Sequence, residues 1–202
     1  RESILEAMKR REVYATTGPR IAVQFYGGID FTADDLAAAD LYAHATARGV
    51  PMGGELGLSD SAPTFLVLAA KDPIGANLDR VQIIKGWLDA QGQSKEQVFN
   101  VAWSDERPLA SDGSLPPVGN TVDLKTGKVD NTIGSPQLTA VWQDPQFDPQ
   151  QAAFYYTRVL QIPSARHSLL DARAMGMEHA GEKPDTIQER AYTSSIWYRP
   201  DL

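Results

Sequence analysis

The chain has 202 residues, 42% apolar and 22% charged, with a net charge of −7; these proportions suit a globular protein long enough to bury a sizeable core. The acidic balance, with a pI of about 4.9, argues against nucleic acid or an anionic membrane surface as the main partner, because both need a basic face. No run of about 18 apolar residues marks a membrane span, no signal-peptide pattern is visible, and the lack of cysteine removes disulfides, thiolate metal sites and cysteine nucleophiles.

Residues 1–12, RESILEAMKRRE, predict a helix. Ile4, Leu5 and Met8 form one apolar stripe, Glu2 suits the start, and Lys9, Arg10 and Arg11 suit the end of the helix dipole. So short a helix is marginal alone and its stripe needs a neighbour. The chain opens inside this helix and reads as a piece of a longer protein, so the compartment stays open between cytoplasm and periplasm.

From Val13 the period becomes two. VYATTG and RIAVQFYG are strand candidates broken at Gly18-Pro19, where proline supplies no amide hydrogen. TADDLAAADLYAHATARGV has a helical composition with Thr32 as a cap, although an alanine-rich strand and loop fits it too. Strands are then expected in APTFLVLAAKD, LDRVQIIKGWLD and KEQVFNVAWSD, with turns at DPIGAN and DAQGQS. In the last of these strands Val98, Asn100 and Ala102 oppose Phe99, Val101 and Trp103. Residues 104–136 are rich in Gly, Pro, Asp and Ser and read as loop. QLTAVWQD and AFYYTRVLQIP are strands, a polar loop runs to about Asp185, and IQERAYTSSIWY is a final strand. The fold class expected is mainly β: an antiparallel sandwich or partly closed barrel with an N-terminal helix and room for one further short helix.

Familiar catalytic patterns are missing. YGGIDF and PMGGELG lack the strand and helix setting of a phosphate loop and read as turns needing positive φ. His44, His167 and His179 form no HxH, HExxH or DxH pattern, so no metal ligand is placed on this chain. In PSARHS, Ser164 and Ser168 flank His167 with no orienting acid at a recognisable spacing, and no GxSxG elbow is present. Asp105, Glu106 and Asp112 lack the calcium-loop pattern, and Asp144-Pro145 and Asp148-Pro149 read as turn starters. Thr16, Thr17 and Arg20, around the Gly-Pro turn, could hold an anionic group against their reading as ordinary strand and surface residues. Arg166 and His167 join them as candidate substrate contacts. Trp87, Trp142 and Trp197 are candidates for stacking on a sugar, against core packing.

The chain resembles the C-terminal part of a bacterial family of uncharacterised function (a DUF) related to the PHP superfamily, the polymerase and histidinol phosphatase group of metal-dependent hydrolases. The resemblance lies in RREVYATTGPRI (Arg10–Ile21), GVPMGGEL (Gly49–Leu56), KDPIGANLDRVQIIKGWLD (Lys71–Asp89), VAWSD (Val101–Asp105), VGNTVDLKTG (Val118–Gly127), IGSPQL (Ile133–Leu138), DPQFDPQQAAFYYTRVLQIPSAR (Asp144–Arg166) and TIQERAYTSSIWY (Thr186–Tyr198). Ser195 departs from it, standing where proline is expected. The resemblance implies that residues 1–21 are the last helix and strand of an upstream PHP-like domain, and that 22–202 form an appended β domain. It places divalent metal ions, with their His, Asp and Glu ligands, in that missing upstream domain and no cofactor here. The expected role is accessory or structural within a hydrolase of phosphoesters, esters or amides, with that domain and a small-molecule substrate as partners. Competing expectations are a carbohydrate- or ligand-binding sandwich and a module that builds a homo-oligomer.

Overall fold

Apolar side chains at every second position demand a partner surface, and two stacked sheets supply it. The structure, a computed structural model, describes residues 1–179 and 181–202. In chain order the strands are β1 (Tyr14–Thr16), β2 (Ala22–Gly28), β3 (Val50–Pro51), β4 (Glu55–Leu56), β5 (Thr64–Ala70), β6 (Leu78–Leu88), β7 (Ser94–Trp103), β8 (Gln137–Gln143), β9 (Ala153–Gln161), β10 (Ser164–Ala165), β11 (Thr186–Ile187), β12 (Arg190–Thr193) and β13 (Ile196–Tyr198). The helices are α1 (Glu2–Lys9), α2 (Leu41–Arg48) and α3 (His167–Ala174), with a 3-10 turn at Ala33–Ala37. Strands take 36% of the chain and helices 14%, so the body is mainly β; its architecture is that of a sandwich, with no closed barrel among the described residues.

The larger sheet is centred on β9. On one side β9 pairs with β6, which pairs with β7; on the other it pairs with β12 and then β13, which carry β1 and β4 at the edge. Every pairing in it is antiparallel except β13 with β4. The smaller sheet runs β3-β2-β5-β8. Along β9 the odd positions, Ala153, Tyr155, Thr157, Val159 and Gln161, are buried, as period-two patterning requires. Ala153, Tyr155 and Val159 join Phe25, Phe65 and Val67 of the facing sheet in one core. The Phe65 ring lies 4.5 Å from Tyr155 and 5.6 Å from Phe25. Each such buried side chain contributes on the order of 1.5–3 kcal/mol.

A second, smaller core lies on the outer face of the β2-β5-β8 sheet, where Tyr26 and Leu66 pack against Phe31, Ala45 and Leu41. The helical reading of 32–50 therefore holds in two pieces, the 3-10 turn and α2, with Val50 already in β3. Thr32 and Asp35 form a capping box, and Asp40 accepts from the Ala43 amide at 3.0 Å to start α2. Buried Asp35 then ties the two pieces together: it lies 2.6 Å from His44 Nε2 and ion-pairs with Arg48.

Polar anchors hold what has no regular structure. Lys85 Nζ, inside the sandwich, donates to Asp144 Oδ2 at 2.6 Å and to the Gln146 carbonyl at 2.7 Å; the Tyr155 hydroxyl donates to the same Asp144 oxygen at 2.7 Å. Asp79, fully buried, accepts from Arg107 at 2.7 Å and from Gln188 at 2.8 Å. Arg107 also grips the Pro116 carbonyl at 2.9 Å, so one guanidinium fastens the long loop to the sheet.

Several expectations need correction. The polar stretch before Asp185 contains β10 and α3, and β10 pairs with β11 just beyond it, so two helices follow α1 rather than one. The final strand is three, because the pairing along β9 shifts at Ser194-Ser195 between β12 and β13. The alternation in β7 breaks at Val101, where the register with β6 slips between Val81 and Gln82. Positive φ is found at Gly53 (+88°), whose added Cβ would strike the Arg11 carbonyl. Gly27 and Gly28 of YGGIDF instead end β2, with Phe65, Ile196 and Phe31 pressed against them.

Candidate functional site

The Gly18-Pro19 turn is fixed by its neighbours on both sides. Thr16 pairs with Ala191 across β1 and β12; the Thr17 hydroxyl donates to the Glu189 carboxylate and accepts from the Arg190 amide at 2.9 Å. The Arg20 amide donates to Asp72 Oδ2 at 2.8 Å, and its guanidinium adds a bond at 3.3 Å. The amide first, then the guanidinium, holds the Asp72 carboxyl down at about 2. Beside the turn lies a cleft of about 320 Å³ bordered by Gly18, Pro19, Gln161, Ser164, His167 and Glu189. The Gln161 amide donates to Ser164 Oγ at 3.1 Å, while its Oε1 is buried with no partner among the described residues.

Of the sequence-predicted set only His167 borders this cleft, across from Gly18 and Pro19; Thr16 and Thr17 precede that turn without lining it. Arg20 and Arg166 do not border it. The Arg20 side chain, 74% exposed, lies along Asp72, and Arg166 donates to the Pro184 carbonyl at 2.9 Å. The charged group that lines the cleft is thus Glu189, an acceptor.

A wider groove of about 790 Å³ opens on the outer face of the larger sheet. Phe154 and Trp197 are cross-strand partners there, with ring centres 5.3 Å apart and planes tilted by 48°. The Phe154 ring lies over Gly86, where an added Cβ would sit 2.2 Å from the ring. Leu88 completes the apolar floor, and Arg11, Lys95, Arg199 and Glu96 stand on the rim; Trp87 borders the groove at its strand, but its ring turns inward onto the core, 5.4 Å from Lys85 Nζ. Trp197 is 40% exposed. Trp142 is elsewhere, packed inside against Phe65 and Phe99 at 6.0 Å and 4.7 Å. Of the three candidate tryptophans, Trp87 and Trp197 border the groove.

The partner of Ser168 is not its neighbour His167. His167 and Ser168 are consecutive residues of α3, and it is His179 whose Nε2 lies 2.8 Å from Ser168 Oγ. Nothing local in the sequence signals this, because the two lie eleven positions apart across the turn after α3. Among the described residues no group of three or more His, Asp or Glu side chains is arranged to hold a metal ion, and no helix is long and apolar enough to cross a membrane.

No curated protein and no solved structure matches the chain. A family model described as a protein of unknown function, DUF3604, matches residues 1–200. With that match running over β1 through β13, the chain belongs to the DUF3604 family.

Proposed function

We propose that this chain is the accessory β-sandwich of a metal-dependent hydrolase acting on a phosphoester, ester or amide. It packs against an upstream PHP-like domain that holds the divalent ions, and it shapes or covers the mouth of that active site. The observation that supports this reading is α1. The helix is amphipathic, yet Ile4, Leu5 and Met8 are 62%, 52% and 60% exposed and no residue of α1 is buried. A helix of eight residues is marginal in water and gains its stability from packing. Its bare stripe therefore suits a neighbouring body. The test uses the protein carrying the upstream domain. Ile4→Asp combined with Met8→Asp should lower kcat/KM and speed amide exchange in α1. Unchanged exchange and unchanged kinetics would remove the proposal, and self-association of the chain lost in the same variant would reassign the stripe to a homo-oligomer.

A second reading, a carbohydrate-binding sandwich, has its own support in the Phe154–Trp197 groove. The groove's size lies within the range of small-molecule sites, and its apolar floor and charged rim suit the two-sided character of a sugar. Tryptophan fluorescence titrated with a panel of oligosaccharides should show saturable quenching, weakened about tenfold or more in Trp197→Ala. Signals equal in wild type and variant would sink this reading.

A further inference from the structure

Three side chains meet at the start of α3. Ser168 Oγ lies 2.8 Å from His179 Nε2, and Asp185 Oδ1 lies 2.8 Å from Nδ1 of the same ring. The His179 side chain is only 10% exposed. Asp185 approaches from off the N–H direction, so Nδ1 has a charged neighbour but no aligned acceptor among the described residues. Resting sites often hold such contacts poorly aligned and tighten them when substrate binds.

We propose that Ser168, His179 and Asp185 form a nucleophile, base and orienting acid for acyl transfer from small uncharged esters, independently of any metal ion. The order of contacts is the one this chemistry needs: a hydroxyl within reach of an imidazole nitrogen, and a carboxylate at the other nitrogen. The helix supplies the next element. The Leu169 and Leu170 amides both donate to the Arg166 carbonyl, whereas those of His167 and Ser168 have no acceptor among the described residues. These free first-turn amides sit beside Ser168 Oγ and are the donors available to an oxyanion.

A pocket of about 320 Å³ adjoins the serine, with Ala172, Met175 and Met177 as apolar wall and Asp171, Glu178 and Glu182 outnumbering Lys183 as charged wall. That lining takes a short acyl chain and disfavours an anionic one. In the reaction Ser168 Oγ adds to the carbonyl carbon while its proton passes to His179 Nε2. The bond to the alcohol oxygen breaks, that oxygen takes the proton from Nε2, and the alcohol leaves an acyl ester on Ser168. Water then gives a proton to Nε2 and attacks the acyl carbon. The carboxylic acid departs as Ser168 Oγ regains its proton.

The test treats the 202-residue chain with a fluorophosphonate and maps the adduct by peptide mass, alongside hydrolysis of p-nitrophenyl acetate. The adduct is expected on Ser168, absent in Ser168→Ala and unchanged in Ser111→Ala, a serine in the distant loop. His179→Gln should slow labelling about a hundredfold or more, and Asp185→Asn less. Ser168 is exposed, so Ser168→Ala should melt with the wild type, and loss of labelling at equal Tm then reports the nucleophile and not the fold. Wild type reacting no faster than Ser168→Ala, or an adduct on another residue, overturns the proposal.

Discussion

Lys85 shows how a single buried cation is made tolerable. An ammonium inside a sandwich core costs several kcal/mol of lost hydration unless partners surround it. Here the partners are the Asp144 carboxylate, the Gln146 carbonyl and the faces of Trp87 and Tyr155, at 5.4 Å and 5.9 Å. Burial first, then the Asp144 charge, pushes the Tyr155 hydroxyl far up, so it remains a donor to that carboxylate. The network pins the Asp144–Gln146 turn, and removing one member strands another. Lys85→Met should destabilise the protein by about 3–5 kcal/mol, because Asp144 is left charged and buried. The double variant Lys85→Met with Asp144→Leu should recover a large part of that loss in urea unfolding. Equal losses in the single and double variants would show that packing, not the stranded charge, sets the cost.

At the scale of elements, legibility followed periodicity. β2, β5, β6, β8 and β9 are plain in the sequence because each alternates or runs apolar over at least seven residues. α3 is not, because only Leu169 and Ala172 face inward, too few for a stripe to stand out. The split between β12 and β13 is equally silent: β9 is long enough to pair with both in turn, a matter of sheet geometry and not of local composition. The candidate sites divide the same way. The Thr16–Arg20 turn and Trp197 carry recognisable residue types in a strand context. The contact of Ser168 with His179 depends on how the chain folds back after α3, and the positions of Arg20 and Arg166 depend on Asp72 and the Pro184 carbonyl. A motif scan sees residue spacing, whereas these arrangements are made by tertiary return of the chain.

For the molecule as a whole, acid is the condition that should take it apart, and two carboxylates near opposite ends of β2 and β5 say how. The His44 contact first, then the Thr32 amide, holds Asp35 down at about 2 where it joins the 3-10 turn to α2. Asp72 is held at about 2 by the Arg20 amide at the other end of β2 and β5. Each has an ordinary value of 3.8 once unfolded, so between these limits the unfolded chain binds more protons than the native one. The stability these groups contribute is complete above pH 3.8 and is lost as the pH falls through 2. Asp89, Asp112, Asp123 and Asp201 are lowered as well and steepen the same descent. Tm measured from pH 7 downward should therefore stay level to about pH 4 and then drop steeply. Asp35→Asn should lower Tm at neutral pH, where the carboxylate's bonds to Thr32, His44 and Arg48 are gone, yet flatten the acid branch, because one proton-uptake site has been removed. An acid branch as steep in Asp35→Asn as in the wild type would show that the α2 layer takes no part in acid unfolding. The linkage would then fall to Asp72 and the turn carboxylates.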